Sequence, residues 1–320
     1  MAGMVRMGVM LIVAMQVVGC TAGPQASFRR FEYARLRMGT EARITIWSSE
    51  PEADVQAAAD AAFERIAGVE EATSDWLTHG RIADLRDAVP GESIRLRGDL
   101  LLVMEKSAPI VELTNGAFDP ASGRLTALWR KARSTGEPPD PAAVSQAAAG
   151  SGWERLHFDV RHHTITPEHP VPWLDFGGVA KGLAADEALA VLRAQGMNRS
   201  LVDVGGDMAA GDRPPDQAGW FIDRPAQSGD RTMRGYVISR IGIATSGSAF
   251  QHLDHDGKVL SHVLDPRNGA AVVRQDAFTV TAPTAAEADA LATAACVMGA
   301  RQLRSALYSS GARYGVDVAH

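Results

Sequence analysis

The chain has 320 residues, 46% of them apolar and 22% charged, and 32 Lys+Arg stand against 38 Asp+Glu for a formal charge of −6. That much apolar material excludes disorder as the main state and is enough for one large domain or two small ones without staples. The acidic balance, with no basic stripe, argues against nucleic acid as a partner. Two cysteines, Cys20 and Cys296, are too few for a disulfide framework and have no zinc-type spacing.

Arg6 is the only charge before Arg29, and an apolar run, GVMLIVAMQVV, spans residues 8–18. It is shorter than the roughly 20 residues a membrane span needs. A positive start, a short apolar stretch and a small residue at Gly19 describe a secretory signal. Val17-Val18-Gly19-Cys20 resembles a bacterial lipobox, in which Cys20 is lipidated and becomes the mature N-terminus. A signal cut elsewhere and an uncleaved anchor are the alternatives. The lipobox reading makes residues 1–19 a signal peptide and 20–30 a tether, with a single domain over 31–320. It places the protein outside the cytoplasm, lipid-anchored to a bacterial membrane and facing the periplasm. Loss of Arg6 with the signal leaves 31 Lys+Arg against 38 Asp+Glu, a charge of −7. Cys296 is then expected as a small core residue.

Glu41–Trp47 alternates as a strand, with Ala42, Ile44 and Ile46 on one face. Pro51 to about Glu71 reads as an Ala-rich helix with Val55, Ala59, Phe63, Ile66 and Val69 on its apolar face. Asp99–Leu113 is a second helix, with Pro109 a possible kink, and Pro138–Gly150 holds a third. Leu156–Asp159 and Thr164–Thr166 suggest a hairpin. Gly178–Gln195 is a strong amphipathic helix ended by Gly196. A strand at Ser200–Val204 stops at Gly205-Gly206, and short strands fill 219–282. The last strong helix runs from Thr284 to Met298, behind a Thr284…Glu287 capping box. Residues 211–219 are turn-rich and read as a surface excursion. Strands and helices alternate without a sustained βαβ repeat, which favours α+β.

Four segments carry chemistry. In Asp175-Phe-Gly-Gly-Val-Ala-Lys-Gly182 a carboxylate and two glycines precede a helix start, where free N–H groups attract phosphate and Lys181 adds charge. The dinucleotide fingerprint fails on spacing and the Walker A pattern lacks its Gly-Lys-Ser/Thr, so a tight structural turn is the competing reading. Asp289 and Thr293 lie four apart on one helical face and offer oxygen, which suits a hard cation such as Mg²⁺. The rest of that helix is almost wholly apolar, so both groups need partners. Ala244-Thr-Ser-Gly247 and His262-Val-Leu-Asp265-Pro-Arg bring a histidine beside a rigid turn, a candidate proton acceptor. Ser246 lacks the G-x-S-x-G elbow, and the pairs His162-His163 and His252/His255 lack further zinc ligands. Asp119, in Gly116-Ala-Phe-Asp-Pro120, either caps a turn or bonds a ligand.

Together with Met38-Gly-Thr40 and Val204-Gly-Gly-Asp207, these segments resemble, in order, the FAD:protein FMN transferase family, also called ApbE. The resemblance spans about Arg37 to Gly299. It implies an α+β body of mixed sheets with packed helices and an FAD cleft. Met38, Ala117, Phe118 and Asp119 would contact FAD, and Trp76 would stack on its ring system. Asp175 and Lys181 would hold the nucleotide, and Leu264 would line the flavin site. Mg²⁺ would sit on the main-chain oxygen of Gly178 with Asp289 and Thr293. A Thr or Ser hydroxyl of an acceptor flavoprotein would attack the FMN-side phosphorus of FAD and release AMP, with His262 as base and Asp265 as its orienting group or substitute. An FAD pyrophosphatase and a non-catalytic flavin-binding lipoprotein are the competing functions. Two stretches depart from the family pattern: Ser248-Ala249-Phe250, where Asp-Tyr is usual, and the degenerate Gly80–Arg86.

Overall fold

A computed structural model of the chain describes residues 27–74, 82, 85, 88–168, 174–223, 235–247, 252–273, 276–310 and 314–319. Cys20, Trp76 and residues 248–250 lie outside them. In chain order the elements are β1 Arg29–Arg37, β2 Thr40–Ser48, α1 Glu52–Thr73, β3 Ile94–Arg95, α2 Gly98–Leu113, α3 Gly123–Thr135 and α4 Pro141–Ala149. Next come β4 Thr164–Ile165, α5 Ala180–Ala194, β5 Ser200–Val204, β6 Asp207–Ala210, β7 Trp220–Ile222 and β8 Tyr236–Ile238. The chain continues with β9 Gly242–Gly247, β10 His252–His255, β11 Lys258–Ser261, β12 Ala277–Ala282, α6 Ala285–Met298, α7 Ala300–Ser310 and β13 Gly315–Ala319.

The main sheet has seven strands in the order β1-β2-β5-β6-β9-β12-β13. Every neighbouring pair is antiparallel. The fold is therefore α+β, with helices segregated from an antiparallel sheet. β2 explains the burial pattern: Ala42, Ile44 and Ile46 are fully buried on the face that meets the helices. Helices α1, α5 and α6 cover that face, and α2 packs on α1 and α6. Across the sheet, Trp220, Ile222 and Ile238 of the β7–β8 hairpin bury against Trp47, Leu201 and Met208. A separate small core joins Leu125 and Trp129 of α3, Ala147 of α4, Leu253 of β10, and Leu264.

Local chemistry sets the ends of the elements that matter. β1 and β2 are joined by Met38-Gly39 alone, with Arg37 paired to Thr40. Both turn residues have positive φ, 52° and 70°, as a type I′ hairpin requires. At the end of α5, Gly196 N–H donates to Arg193 O and Met197 N–H to Leu192 O. That is a Schellman closure, and Gly196 supplies its left-handed residue at φ 81°. Thr284 caps α6 by accepting from Glu287 N–H at 3.2 Å, as the capping-box pattern predicts.

The structure departs from the sequence expectations in a few places. β1 begins at Arg29, inside the stretch read as a tether. Helices α3 and α7 were not anticipated. The hairpin expected at 156–166 forms loosely, through the Asp159–Thr164 bridge and a bond from Thr166 N–H to Leu156 O at 2.8 Å, and Thr164–Ile165 also pairs with β3. Pro109 sits within a continuous α2. Cys296 is buried, as expected.

Candidate functional site

The site is built where the start of α5 meets the middle of α6. Phe176 O accepts from Val179 N–H at 2.9 Å and from Ala180 N–H at 2.8 Å, which starts α5 on a tight turn. The two helices then approach closely because small residues face each other. A methyl group added at Gly178 would stand 2.9 Å from Thr293 Oγ1 and 3.2 Å from its Cγ2, so Thr293 lies directly on that backbone. At Gly182 an added methyl would stand 2.5 Å from the Ala285 carbonyl carbon. Gly182 N–H donates to Asp289 Oδ2 at 3.2 Å.

Lys181 reaches across this contact. Its ammonium pairs with Asp207 and stands 3.7 Å from Asp289 Oδ2. Both carboxylates are almost wholly buried, Asp207 at 2% exposure and Asp289 at 4%. Burial, and then the Asp207 charge, push the Asp289 carboxyl up to about 7, while Lys181 and the Gly182 N–H pull the other way. For Lys181, burial works against the charge, but Asp289 and Asp207 outweigh it and hold the ammonium above its ordinary value. Two buried carboxylates that share one ammonium form an anionic, all-oxygen corner, completed by the Thr293 hydroxyl and the Gly178 backbone. Such a donor set fits a hard divalent cation.

The other motif residues connect to this corner through contacts. Asp207 opens β6 after Gly205-Gly206, and Gly205 N–H donates to Glu41 O at 3.1 Å, beside the Met38-Gly39 turn. Met38 itself is half-buried against the main core. Asp175 Oδ1 accepts from Gly177 N–H at 2.8 Å, and Oδ2 lies 3.8 Å from the Arg130 guanidinium. Asp175 N–H donates to Pro120 O at 2.8 Å, which brings the Ala117–Asp119 loop alongside. Ala117 and Phe118 are buried. Asp119 accepts from Ala121 N–H at 2.7 Å and from Trp153 N–H at 2.9 Å, so its carboxylate caps a turn. Burial pushes it up to about 6 against those two bonds.

The Arg267 side chain lies next to Gly116 and so joins the His262–Asp265 segment to the same loop. Arg267 clamps Asp265 with Nε to Oδ1 at 2.8 Å and Nη2 to Oδ2 at 2.7 Å. Burial alone would raise the Asp265 carboxyl, but Arg267 more than offsets it and holds it below its usual value. The clamp commits both Asp265 oxygens within the turn. Leu264 is buried in the small core against α3 and α4. His262 is half-buried at the end of β11. Among the described residues, no cluster of three or more His, Cys, Asp or Glu is arranged to hold a metal on its own. The expected set would use one carboxylate with a hydroxyl and a carbonyl.

Asp207 enters the sequence pattern only as the end of Val204-Gly-Gly-Asp207, and the structure adds to the site Asp186, whose carboxylate accepts from Ala285 and Ala286 N–H at the start of α6. Lys181 was expected on the nucleotide; here it rests on two carboxylates. The signal for Asp207 was the Gly-Gly-Asp turn itself, which places an acid at the start of a central strand.

Comparison with known proteins points to one family. The model of the ApbE family matches residues 38–314. A protein of Treponema pallidum called FAD:protein FMN transferase is 28% identical, with 92% of this chain and 85% of that protein aligned. A Salmonella typhimurium protein of the same name is 31% identical over 62% of this chain and 59% of its own length. Among solved structures, the ApbE protein of Thermotoga maritima superposes with a TM-score of 0.77 at 25% identity, covering 91% of this chain and 94% of that one. The Pseudomonas stutzeri flavinyl transferase ApbE, at 23% identity, shares the fold with a TM-score of 0.78 and 92% of each chain covered.

Proposed function

Because this chain belongs to the ApbE family, we propose that it is a Mg²⁺-dependent FAD:protein FMN transferase that moves FMN from FAD to a Thr or Ser hydroxyl of an acceptor flavoprotein and releases AMP. The chain is a transferase. The observation that carries the finer reading is the meeting of Thr293 with Gly178 and of Asp289 with Gly182 and Lys181 across one helix contact.

Asp289, Thr293 and the Gly178 carbonyl would hold the cation. When bound, Mg²⁺ supplies neutralisation of the charge that builds on the pyrophosphate oxygens. Lys181 adds a second positive charge at the same place, and Asp207 keeps it aimed there. The positive dipole end at the start of α5 favours a phosphate in front of it. Ala117, Phe118 and Asp119, with Met38 and Trp76, would position the flavin half.

The acceptor oxygen forms the new bond to the FMN-side phosphorus as the bond from that phosphorus to the AMP oxygen breaks. His262 takes the hydroxyl proton. Asp265 acts with Arg267 to stiffen the turn that carries His262. Since the charge develops on the pyrophosphate oxygens, positioning and electrostatics dominate the rate. Lipidation at Cys20 would tether the body to a bacterial membrane facing the periplasm, and Cys20→Ala should release it from the membrane fraction.

The test is incubation of the protein lacking residues 1–20 with FAD, Mg²⁺ and an acceptor protein, followed by in-gel flavin fluorescence and AMP quantification. Equimolar AMP and labelled acceptor are expected. AMP without labelled acceptor would make the protein a pyrophosphatase. Retained FAD without AMP would make it a carrier.

A further inference from the structure

α5 and α6 meet as an antiparallel ladder. Gly178 faces Thr293, and Gly182 N–H donates to Asp289. One turn further along α5, Asp186 Oδ1 accepts from Ala285 N–H and Oδ2 from Ala286 N–H, each at 2.9 Å. Residues 178, 182 and 186 step by four along one strand of the ladder, and residues 293, 289 and 285 step by four along the other. Gly178 lies just before α5, Gly182 and Asp186 share one face of α5, and residues 285, 289 and 293 share one face of α6. The first two rungs are the proposed cation site, and the third touches none of its ligands.

We propose that Asp186 is a positioning residue, whose carboxylate on the first two N–H groups of α6 sets the axial register in which Asp289 and Thr293 face Gly178. This rests on the cation reading given above. The need for such a device follows from the composition of α6. Ala285, Ala286, Ala288, Ala290, Ala292, Ala294 and Ala295 are all fully buried. Methyl groups interlock shallowly, so an alanine surface resists sliding poorly. A slip of one residue moves a helix by about 1.5 Å, whereas a working site tolerates about 0.5 Å. Two directional bonds to a carboxylate at the positive end of the helix oppose that slip. Burial pushes the Asp186 carboxyl up to about 6, countered by the two N–H bonds and by Lys106 of α2, while Glu287 of α6 adds to the rise.

The experiment measures Mn²⁺ binding by electron paramagnetic resonance on the folded protein, for Asp186→Ala, Asp186→Asn and Asp289→Ala. Asp186→Ala is expected to weaken Mn²⁺ binding by about 10–100-fold. Asp186→Asn, which keeps one acceptor, should recover part of that. Circular dichroism confirms that each variant is folded at the measuring temperature. A purely structural role would lower the melting temperature and leave Mn²⁺ affinity at the wild-type value; that result overturns the proposal. If Asp186→Ala fails to fold, Asp186→Asn decides by the same criterion. Wild-type Mn²⁺ binding by Asp289→Ala would sink the cation reading itself and the inference with it.

Discussion

Gly182→Ala is the smallest change that attacks the helix contact on which the site depends. The added methyl would stand 2.5 Å from the Ala285 carbonyl carbon and 2.8 Å from Ala286 Cα. Both atoms are backbone, so no side chain can swing aside. Ordinary contact begins at 3.4 Å, and the two helices must separate by roughly 1 Å to restore it. That separation stretches the 3.2 Å bond from Gly182 N–H to Asp289 beyond hydrogen-bonding range. Overpacking costs about 1–3 kcal/mol, and the better helix propensity of alanine offsets up to about 1 kcal/mol of it. A melting temperature lower by several degrees is expected, with a fall of about 10–100-fold in metal affinity and a matching loss of transfer rate at limiting Mg²⁺. Gly68→Ala is the internal control. It lies inside α1, and its nearest neighbour, Arg65 Nη1, is at an ordinary contact distance of 3.5 Å. That change should stabilise by about 0.5–1 kcal/mol. Differential scanning fluorimetry and the AMP assay read both variants. A Gly182→Ala protein with wild-type melting and wild-type transfer would refute the close-contact argument.

Lys181→Met should leave Asp207 and Asp289 facing each other with no cation, which costs about 3–5 kcal/mol. Saturating Mg²⁺ should raise the variant's melting temperature more than it raises that of the wild type, and equal responses would count against the shared corner. Asp119 titrates in the folded chain near 6, above its ordinary 3.8. The folded state therefore holds a proton that the unfolded chain releases between those values, so this contribution is complete below about 3.8 and lost as pH rises through 6. The stability advantage of the wild type over Asp119→Asn should shrink from pH 4 to pH 7, by at most about 3 kcal/mol. Urea titrations at both pH values check this, and a constant gap would contradict it.

The legible parts of the molecule were those where one local rule dominates. The period of α5, its Gly196 stop and the Thr284 cap depend on neighbours a few residues away, and they stand where the pattern placed them. β1 was hidden because RRFEYARLR has charges on both faces of an outermost strand, Arg35 and Arg37 sharing the half-buried face with Phe31 and Tyr33, so no apolar alternation stands out. α3, GRLTALWRKARST, buries only Gly123, Leu125, Trp129 and Ala132, a stripe too thin to stand out among its basic residues. In the site, Asp289 with Thr293 was readable because two polar groups on an alanine helix demand partners. Asp186 was not, because its partners are two backbone N–H groups about 100 residues away, which no residue type announces. Likewise, the Asp265–Arg267 clamp looks in sequence like any charged turn.

The most direct test is a crystal soaked with FAD and Mn²⁺, with anomalous data collected at the manganese edge. A single strong peak between Asp289, Thr293 and the Gly178 carbonyl, in contact with the pyrophosphate, is the expected result. Ordered FAD with no manganese at that corner, or with manganese bound elsewhere, would contradict it.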